Sequence, residues 1–94
     1  MTRTYVIFLK QTRPFTPEVI RRHVEHLRGL ERDGRLALCG PFADGGGGMV
    51  AVRAGSTEEA DHLARQDPFV AEGFETFEVR ELIEANAANG YLLG

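Results

Sequence analysis

Hydrophobic and polar positions follow two different periods along the first third of this chain. The run Tyr5-Val6-Ile7-Phe8-Leu9 is β-branched and aromatic, which is typical of a buried strand. From Pro17 to about Asp33 the apolar residues instead return every three or four positions, which predicts an amphipathic helix. Thr16 is placed to cap this helix, and Gly34 to end it. The chain therefore begins with a strand and a helix.

The remaining pattern adds two strands, a second helix and a last strand. We predict strands over 35–40, 49–53 and 74–82, and a helix that opens at the capping box Ser56-Thr57-Glu58-Glu59 and ends near Asp67. Residues 41–48 are predicted to form a loop, because four consecutive glycines hold regular structure only at a high entropic cost. The order β-α-β-β-α-β indicates an α+β, ferredoxin-like domain over residues 1–82, with both helices on one face of a four-stranded antiparallel sheet. Residues 83–94 would form a C-terminal tail.

The predicted strands carry apolar side chains on both faces of the sheet. In the first strand Tyr5, Ile7 and Leu9 share one face, while Val6 and Phe8 share the other. In the second strand Leu36 and Leu38 would lie on one face, and Ala37 and Cys39 on the other. In the third strand Val50 and Val52 would lie on one face, and Met49 and Ala51 on the other. Because helices cover only one face, the other would be an exposed apolar patch. We therefore expect a two-fold homodimer joined sheet to sheet, with the tail as a candidate to pack on the partner.

Composition excludes several classes of protein. The chain has 94 residues and a net charge of −3, from 11 Lys and Arg against 14 Asp and Glu, which disfavours a nucleic-acid-binding role. The single cysteine, Cys39, can form no internal disulfide and can hold no iron–sulfur cluster, and it suggests a reducing compartment. No apolar run approaches the roughly 20 residues of a membrane span, and the N-terminus lacks the layout of a signal peptide. A cytoplasmic protein without a membrane partner is expected.

His23 is the first candidate for chemistry, because it falls inside the apolar stripe of the first helix. That stripe consists of Val19, Ile20, Val24, Leu27 and Leu30. A histidine aimed at the core needs a hydrogen-bonding partner. It could be a structural core histidine, or it could be a general acid or base, because its free pKa lies near neutrality. His26 follows three residues later, but a helical His-x-x-His pair without further ligands is weak support for a metal, and none is predicted.

Asp67 and the segments near it supply the other candidates. Asp67 precedes Pro68 and Phe69, where it could simply cap a short helical turn, or could fix the tautomer of His23. Gly40-Pro41-Phe42 could end a strand, or could bring backbone and an apolar wall to a pocket. The glycine run lacks the Gly-Lys-Ser/Thr ending of a phosphate loop, so it is interpreted as a flexible hairpin.

The chain resembles YciI-like (YCII-related) proteins over about residues 4–82. The matching segments, in order, are Tyr5-Val6-Ile7, the helical stretch from His23, Gly34-Arg35-Leu36, Gly40-Pro41, the capped helix from Ser56, and Asp67-Pro68-Phe69. The resemblance implies a ferredoxin-like dimer similar to muconolactone isomerase, with His23 and Asp67 at the positions of the family's proposed active site. Some relatives are dehydrochlorinases of chlorinated aromatics. The glycine-rich loop and the tail from Ile83 depart from the family pattern.

Two functions are compatible with these observations. The first is a small-molecule lyase or isomerase without cofactor, in which His23 moves a proton, Asp67 orients the imidazole, and Gly40, Pro41, Phe42 and Phe69 bind a small cyclic or aromatic substrate. The second is a non-catalytic dimer that binds a small ligand or accompanies another enzyme. A His23–Asp67 hydrogen bond beside an open cavity would favour the first, and a sealed His23 the second.

Overall fold

The structure is a computed structural model, and it describes residues 2–93; Met1 and Gly94, the outermost residues of the predicted domain and tail, lie outside that range. The elements in chain order are β1 (Arg3–Gln11), α1 (Pro17–Arg32), β2 (Leu36–Pro41), β3 (Gly47–Ala54), α2 (Thr57–Gln66), α3 (Pro68–Ala71) and β4 (Glu75–Leu82). The four strands form one antiparallel sheet in the order β2-β3-β1-β4. The predicted α+β, ferredoxin-like order is thereby confirmed.

The main core lies between the sheet and the helices. Tyr5, Ile7 and Leu9 of β1 are buried on the helical side, in one cluster with Val50, Val52 and Ala54 of β3. Ala60 and Ala64 of α2 complete this cluster, and their small side chains let α2 approach the strands closely. Thr16 and Ser56 cap α1 and α2 by accepting hydrogen bonds from the third helical residue of each. These caps fix the start of both helices relative to the sheet.

A β-bulge in β2 corrects the predicted faces of that strand. The pairing with β3 shifts between Leu36 and Leu38, so that an extra residue, Ala37, is inserted. As a result Leu36 and Cys39 pack against the core, whereas Leu38 is 65% exposed on the opposite face. The expectation that Leu36 and Leu38 share a face was wrong, because strict alternation does not survive a bulge.

Two of the four consecutive glycines belong to β3 rather than to the predicted loop. Gly47 pairs with Lys10 and Gly48 with Leu9. A Cβ on Gly47 would lie 1.9 Å from the carbonyl oxygen of Leu9, and one on Gly48 would lie 2.5 Å from that of Gly40. The glycines therefore let the backbones of neighbouring strands approach more closely than any side chain permits.

The chain continues beyond β4 into an exposed segment. Residues Ala87–Leu92 form 3₁₀ turns that begin at the cap Asn86 and are interrupted by a kink at Asn89, Gly90 and Tyr91. Glu84 accepts a hydrogen bond of 2.7 Å from the hydroxyl of Thr4, which ties the start of this segment to β1. Ile83 and Leu93 are 69% and 92% exposed. Within residues 2–93 no helix has both the length and the apolar character that crossing a bilayer requires.

Candidate active site

The imidazole of His23, on α1, contacts the carboxylate of Asp67, in the turn between α2 and α3. Nδ1 of His23 lies 2.8 Å from Oδ1 and 2.9 Å from Oδ2 of Asp67. The side chain of His23 is 14% exposed and that of Asp67 only 3%. A carboxylate on Nδ1 favours the tautomer in which Nδ1 carries the proton, which leaves Nε2 as the basic nitrogen. The structure thus brings together the two residues that the sequence analysis named as a pair.

Asp67 occupies the turn between α2 and α3, and it also caps α3. Its Oδ1 accepts a hydrogen bond of 2.9 Å from the backbone N–H of Phe69. The other end of α3 is also fixed, because Nη2 of Arg22, on α1, donates a hydrogen bond of 2.8 Å to Oε1 of Glu72. Arg13 donates a further hydrogen bond to the carbonyl of Glu72. These contacts fix the turn against α1, the helix that carries His23.

Three rings form a stack beside the histidine. The rings of His23 and Phe69 are 3.9 Å apart at an angle of 12°, and Phe15 stacks on the opposite side of Phe69 at 4.2 Å. The imidazole is therefore fixed by a hydrogen bond at its edge and by an aromatic face.

The exposed edge of His23 opens on a cavity of about 430 Å³ between α1 and one end of the sheet. The four predicted substrate-binding residues, Gly40, Pro41, Phe42 and Phe69, all line this cavity. Asp67 does not line the cavity and lies behind the imidazole. The predicted pocket residues thus share one space, which is large enough for a small ring compound.

The stripe of α1 splits between the core and this cavity. Val19 and Leu30 are buried, as the helical period predicts. Ile20 and Val24 are instead 43% and 36% exposed, and both line the cavity. The predicted stripe is therefore only partly buried, because α1 faces the cavity along one edge. The apolar stripe therefore contributes both to the core and to the wall of the cavity, and the cavity wall can contact a ligand.

Glu75, the first residue of β4, is a cavity residue that the sequence analysis missed. It is 5% exposed, and its Oε1 has no hydrogen-bonding partner among the described residues. Burial, reinforced by the negative charge of Asp67, raises the pKa of Glu75 to about 7, against the opposing charge of His23. The signal was present in the sequence, because Glu75 has the same strand parity as Phe77 and Val79, which face the core.

Other titratable groups near the site are less suited to chemistry. Burial lowers the pKa of His26, mainly by disfavouring its charged form. Burial likewise raises the pKa of the Cys39 thiol, which keeps it protonated. Residues 2–93 contain no group of three or more His, Cys, Asp or Glu side chains that could hold a metal ion.

A ferredoxin-like domain with a carboxylate-bound histidine facing an apolar cavity defines the class of this protein. A model of the YCII-related domain matches residues 4–86, and the chain belongs to this family.

Two relatives show how far the similarity extends. The uncharacterized protein YjpA of Bacillus subtilis (strain 168) is 36% identical over 78 residues, which cover 83% of this chain and 92% of YjpA. A solved structure of the 5-chloro-2-hydroxyhydroquinone dehydrochlorinase TftG from Burkholderia phenoliruptrix AC1100, in complex with 2,5-dihydroxybenzoquinone, matches 90% of this chain and 97% of that one with a TM-score of 0.65. Its sequence identity is 23%, so this likeness establishes the fold.

Proposed function

We propose that this protein is a lyase or isomerase that moves a proton on a small aromatic or quinone-like substrate. The observation that carries the proposal is the hydrogen bond of His23 to the buried Asp67 at the wall of an open, largely apolar cavity. In this arrangement His23 is the general base, and Asp67 orients it and stabilises its charged form. An open cavity favours this function over the alternative of a non-catalytic binding module with a sealed histidine.

The cavity walls suit a flat ring. Phe42, Phe69, Pro41 and the apolar side chains of α1 offer hydrophobic surface, whereas Gly40 and the glycines at 45–48 add no side-chain bulk to the wall. TftG, which shares the fold, acts on a chlorinated hydroxyhydroquinone and was solved with a dihydroxyquinone. We therefore propose substituted hydroquinones as the substrate class, with removal of a ring hydroxyl proton by Nε2 of His23 as the first step.

The proposal is tested by incubating the wild-type protein with 5-chloro-2-hydroxyhydroquinone and other halogenated hydroquinones. Chloride release and the ultraviolet spectrum of the product report turnover above the spontaneous rate. His23→Gln should lower the rate by about 10²–10⁴-fold, which is the usual contribution of a positioned base. His62→Gln is the matched control, because His62 lies on the exposed side of α2, away from the cavity. Equal rates for His23→Gln and wild type would refute the role of His23.

The assembly proposed with this function is a homodimer. The face of the sheet opposite the helices exposes Phe8 by 40% and Leu38 by 65%. The segment after β4 exposes further apolar side chains, among them Tyr91 and Leu92. We propose that residues 1–82 form the folding domain, that two copies join through the open sheet face, and that residues 83–94 pack on the partner.

A further inference from the structure

Glu75 is a buried carboxyl group that the proposed His23–Asp67 mechanism does not use. It begins β4 opposite Gln11 of β1, and the backbone is fixed there by a hydrogen bond of 2.8 Å from the N–H of Thr12 to the carbonyl of Phe74. Within residues 2–93, two buried side-chain polar atoms have no partner, Oε1 of Glu75 and the hydroxyl of Tyr5. Of these two residues only Glu75 lines the cavity.

A buried polar atom without a partner is costly, and in a native protein each one calls for an explanation such as a ligand, an ordered water or a catalytic role. The charged groups that act on Glu75 are Asp67, from the turn before α3, and His23, from α1. Its other titratable neighbour in the cavity wall is Cys39, whose thiol stays protonated. Because burial and Asp67 hold the pKa of Glu75 at about 7, a large fraction of the carboxyl groups carries a proton at neutral pH. This is the state that can give a proton to a ligand.

We propose that Glu75 is a second acid–base group of the cavity, which donates a proton to the ligand that His23 deprotonates. This inference rests on the proposed function of the same cavity. In the simplest cycle Nε2 of His23 breaks an O–H bond of the substrate, the electron pair moves into the ring, and the Glu75 carboxyl forms a new C–H or O–H bond elsewhere on it. The product is an isomer of the substrate, and an exchange of one proton with solvent restores the imidazole and the carboxylic acid.

This role narrows the substrate class. A suitable substrate carries an acidic hydroxyl and, elsewhere on the same ring, an atom that accepts a proton, as in hydroxylated quinones and their keto tautomers. It also predicts that the cavity binds the anion of such a compound more tightly when Glu75 is protonated. The ionised carboxylate would repel the anion, because both charges would share a poorly solvated space.

Binding tests the proposal without requiring turnover. The probe is 2,5-dihydroxybenzoquinone, whose acidic hydroxyls are ionised from about pH 6 to about pH 9, and its affinity is measured by calorimetry across that range. We expect the wild-type affinity to fall by up to about tenfold per pH unit above pH 7. Glu75→Gln keeps the shape and a hydrogen-bond donor but cannot ionise. At every pH its affinity should therefore stay near the value that the wild type has at about pH 6. Any slope that remains in Glu75→Gln belongs to groups other than the Glu75 carboxyl.

Glu58→Gln is the matched control, because Glu58 is exposed in the first turn of α2 and lies outside the cavity. It should reproduce the wild-type slope. An identical slope in wild type and Glu75→Gln, or no binding by the wild type at any pH, would overturn the role of Glu75.

Turnover separates this inference from the proposed function. With a hydroquinone that the wild type converts, Glu75→Gln should lower kcat by about 10²-fold and change KM by less than about threefold. The reason is that the amide can bind the substrate but cannot transfer a proton. Normal kcat in Glu75→Gln together with an inactive His23→Gln would reject Glu75 alone. An inactive wild type with Glu75-dependent binding would reject the catalytic function and retain Glu75 as a ligand-binding group.

Discussion

At the scale of single residues, Asp67 performs two tasks that the sequence presented as alternatives. One carboxylate oxygen accepts the N–H of Phe69 and caps α3, and both oxygens contact Nδ1 of His23. A carboxylate has about four lone-pair positions, so the two tasks do not compete. The cap fixes the position of the carboxylate, and the carboxylate in turn fixes the histidine.

Replacing Asp67 by Asn separates these two tasks. Asn caps helices about as well as Asp, so α3 should persist and stability should change by less than about 1 kcal/mol through the cap. The negative charge that holds the Nδ1–H tautomer is lost, and turnover should fall by about 10²–10⁴-fold. Nitrogen-15 NMR of the His23 ring measures the tautomer directly. Asp67→Ala provides the comparison, because it should lose the charge and also about 1 kcal/mol of capping. An unchanged tautomer in Asp67→Ala, which has no acceptor at this position, would show that Asp67 does not orient the ring.

Glu75 makes the stability of the fold depend on pH in an unusual direction. Its pKa is raised from 4.5 to about 7 in the folded state, so between these values the folded protein binds more protons than the unfolded chain. This contribution to stability is complete below about pH 4.5 and is lost as the pH rises through about 7. We expect it to lower the free energy of unfolding by about 1 to 2 kcal/mol between about pH 5 and about pH 8, after allowance for solvent screening.

Urea denaturation of wild type and Glu75→Gln at several pH values measures this effect. As the pH rises, the free energy of unfolding should fall more in the wild type than in Glu75→Gln. Glu58→Gln should leave the wild-type dependence intact. A constant difference between wild type and Glu75→Gln would mean that the Glu75 carboxyl titrates near its ordinary value.

At the scale of elements, the strand and helix order followed from periodicity, capping residues and proline positions alone. Periodicity failed where the backbone departs from a regular period, as at the bulge beside Ala37, and where an element faces two surfaces, as α1 does at Ile20 and Val24. For the site, His23 was identified as a polar residue in an apolar stripe. Its contact with Asp67 joins positions 44 residues apart, which only the tertiary fold brings together. Glu75 was overlooked, although strand parity already placed it on the inner face of β4.

The glycine run offers a direct test of how the strands approach one another. Gly47 has φ of +148° and no space for a Cβ, because the carbonyl of Leu9 occupies that position. Gly46 has φ of +83° but open space around it. Gly47→Ala should therefore destabilise the fold by about 2–4 kcal/mol, through both backbone strain and a clash between β1 and β3. Gly46→Ala should cost only about 1 kcal/mol, from strain. Thermal unfolding of the two variants checks the order, and equal effects would contradict the close approach.

At the scale of the whole molecule, the two faces of the sheet differ in what covers them. The helical face carries the core and, at one end, the cavity with His23 and Glu75. The open face carries β1 and β2 side chains that the chain itself does not cover, including Phe8 and Leu38. A dimer formed through the open face would leave the cavity on the far side of each sheet. Association and ligand binding should therefore be separable by mutation.

The dimer prediction is tested on that open face. Leu38→Asp introduces a charge at a position that is 65% exposed in the single chain, so folding of the monomer should be little affected. In a sheet-to-sheet dimer the same charge would be buried without a partner, and dissociation should follow. Sedimentation velocity should show a dimer for the wild type and a monomer for Leu38→Asp at the same concentration. Arg28→Glu, on the exposed side of α1, makes a larger change in charge away from the sheet and should remain dimeric. A monomeric wild type, or a Leu38→Asp variant as dimeric as the wild type, would exclude this interface.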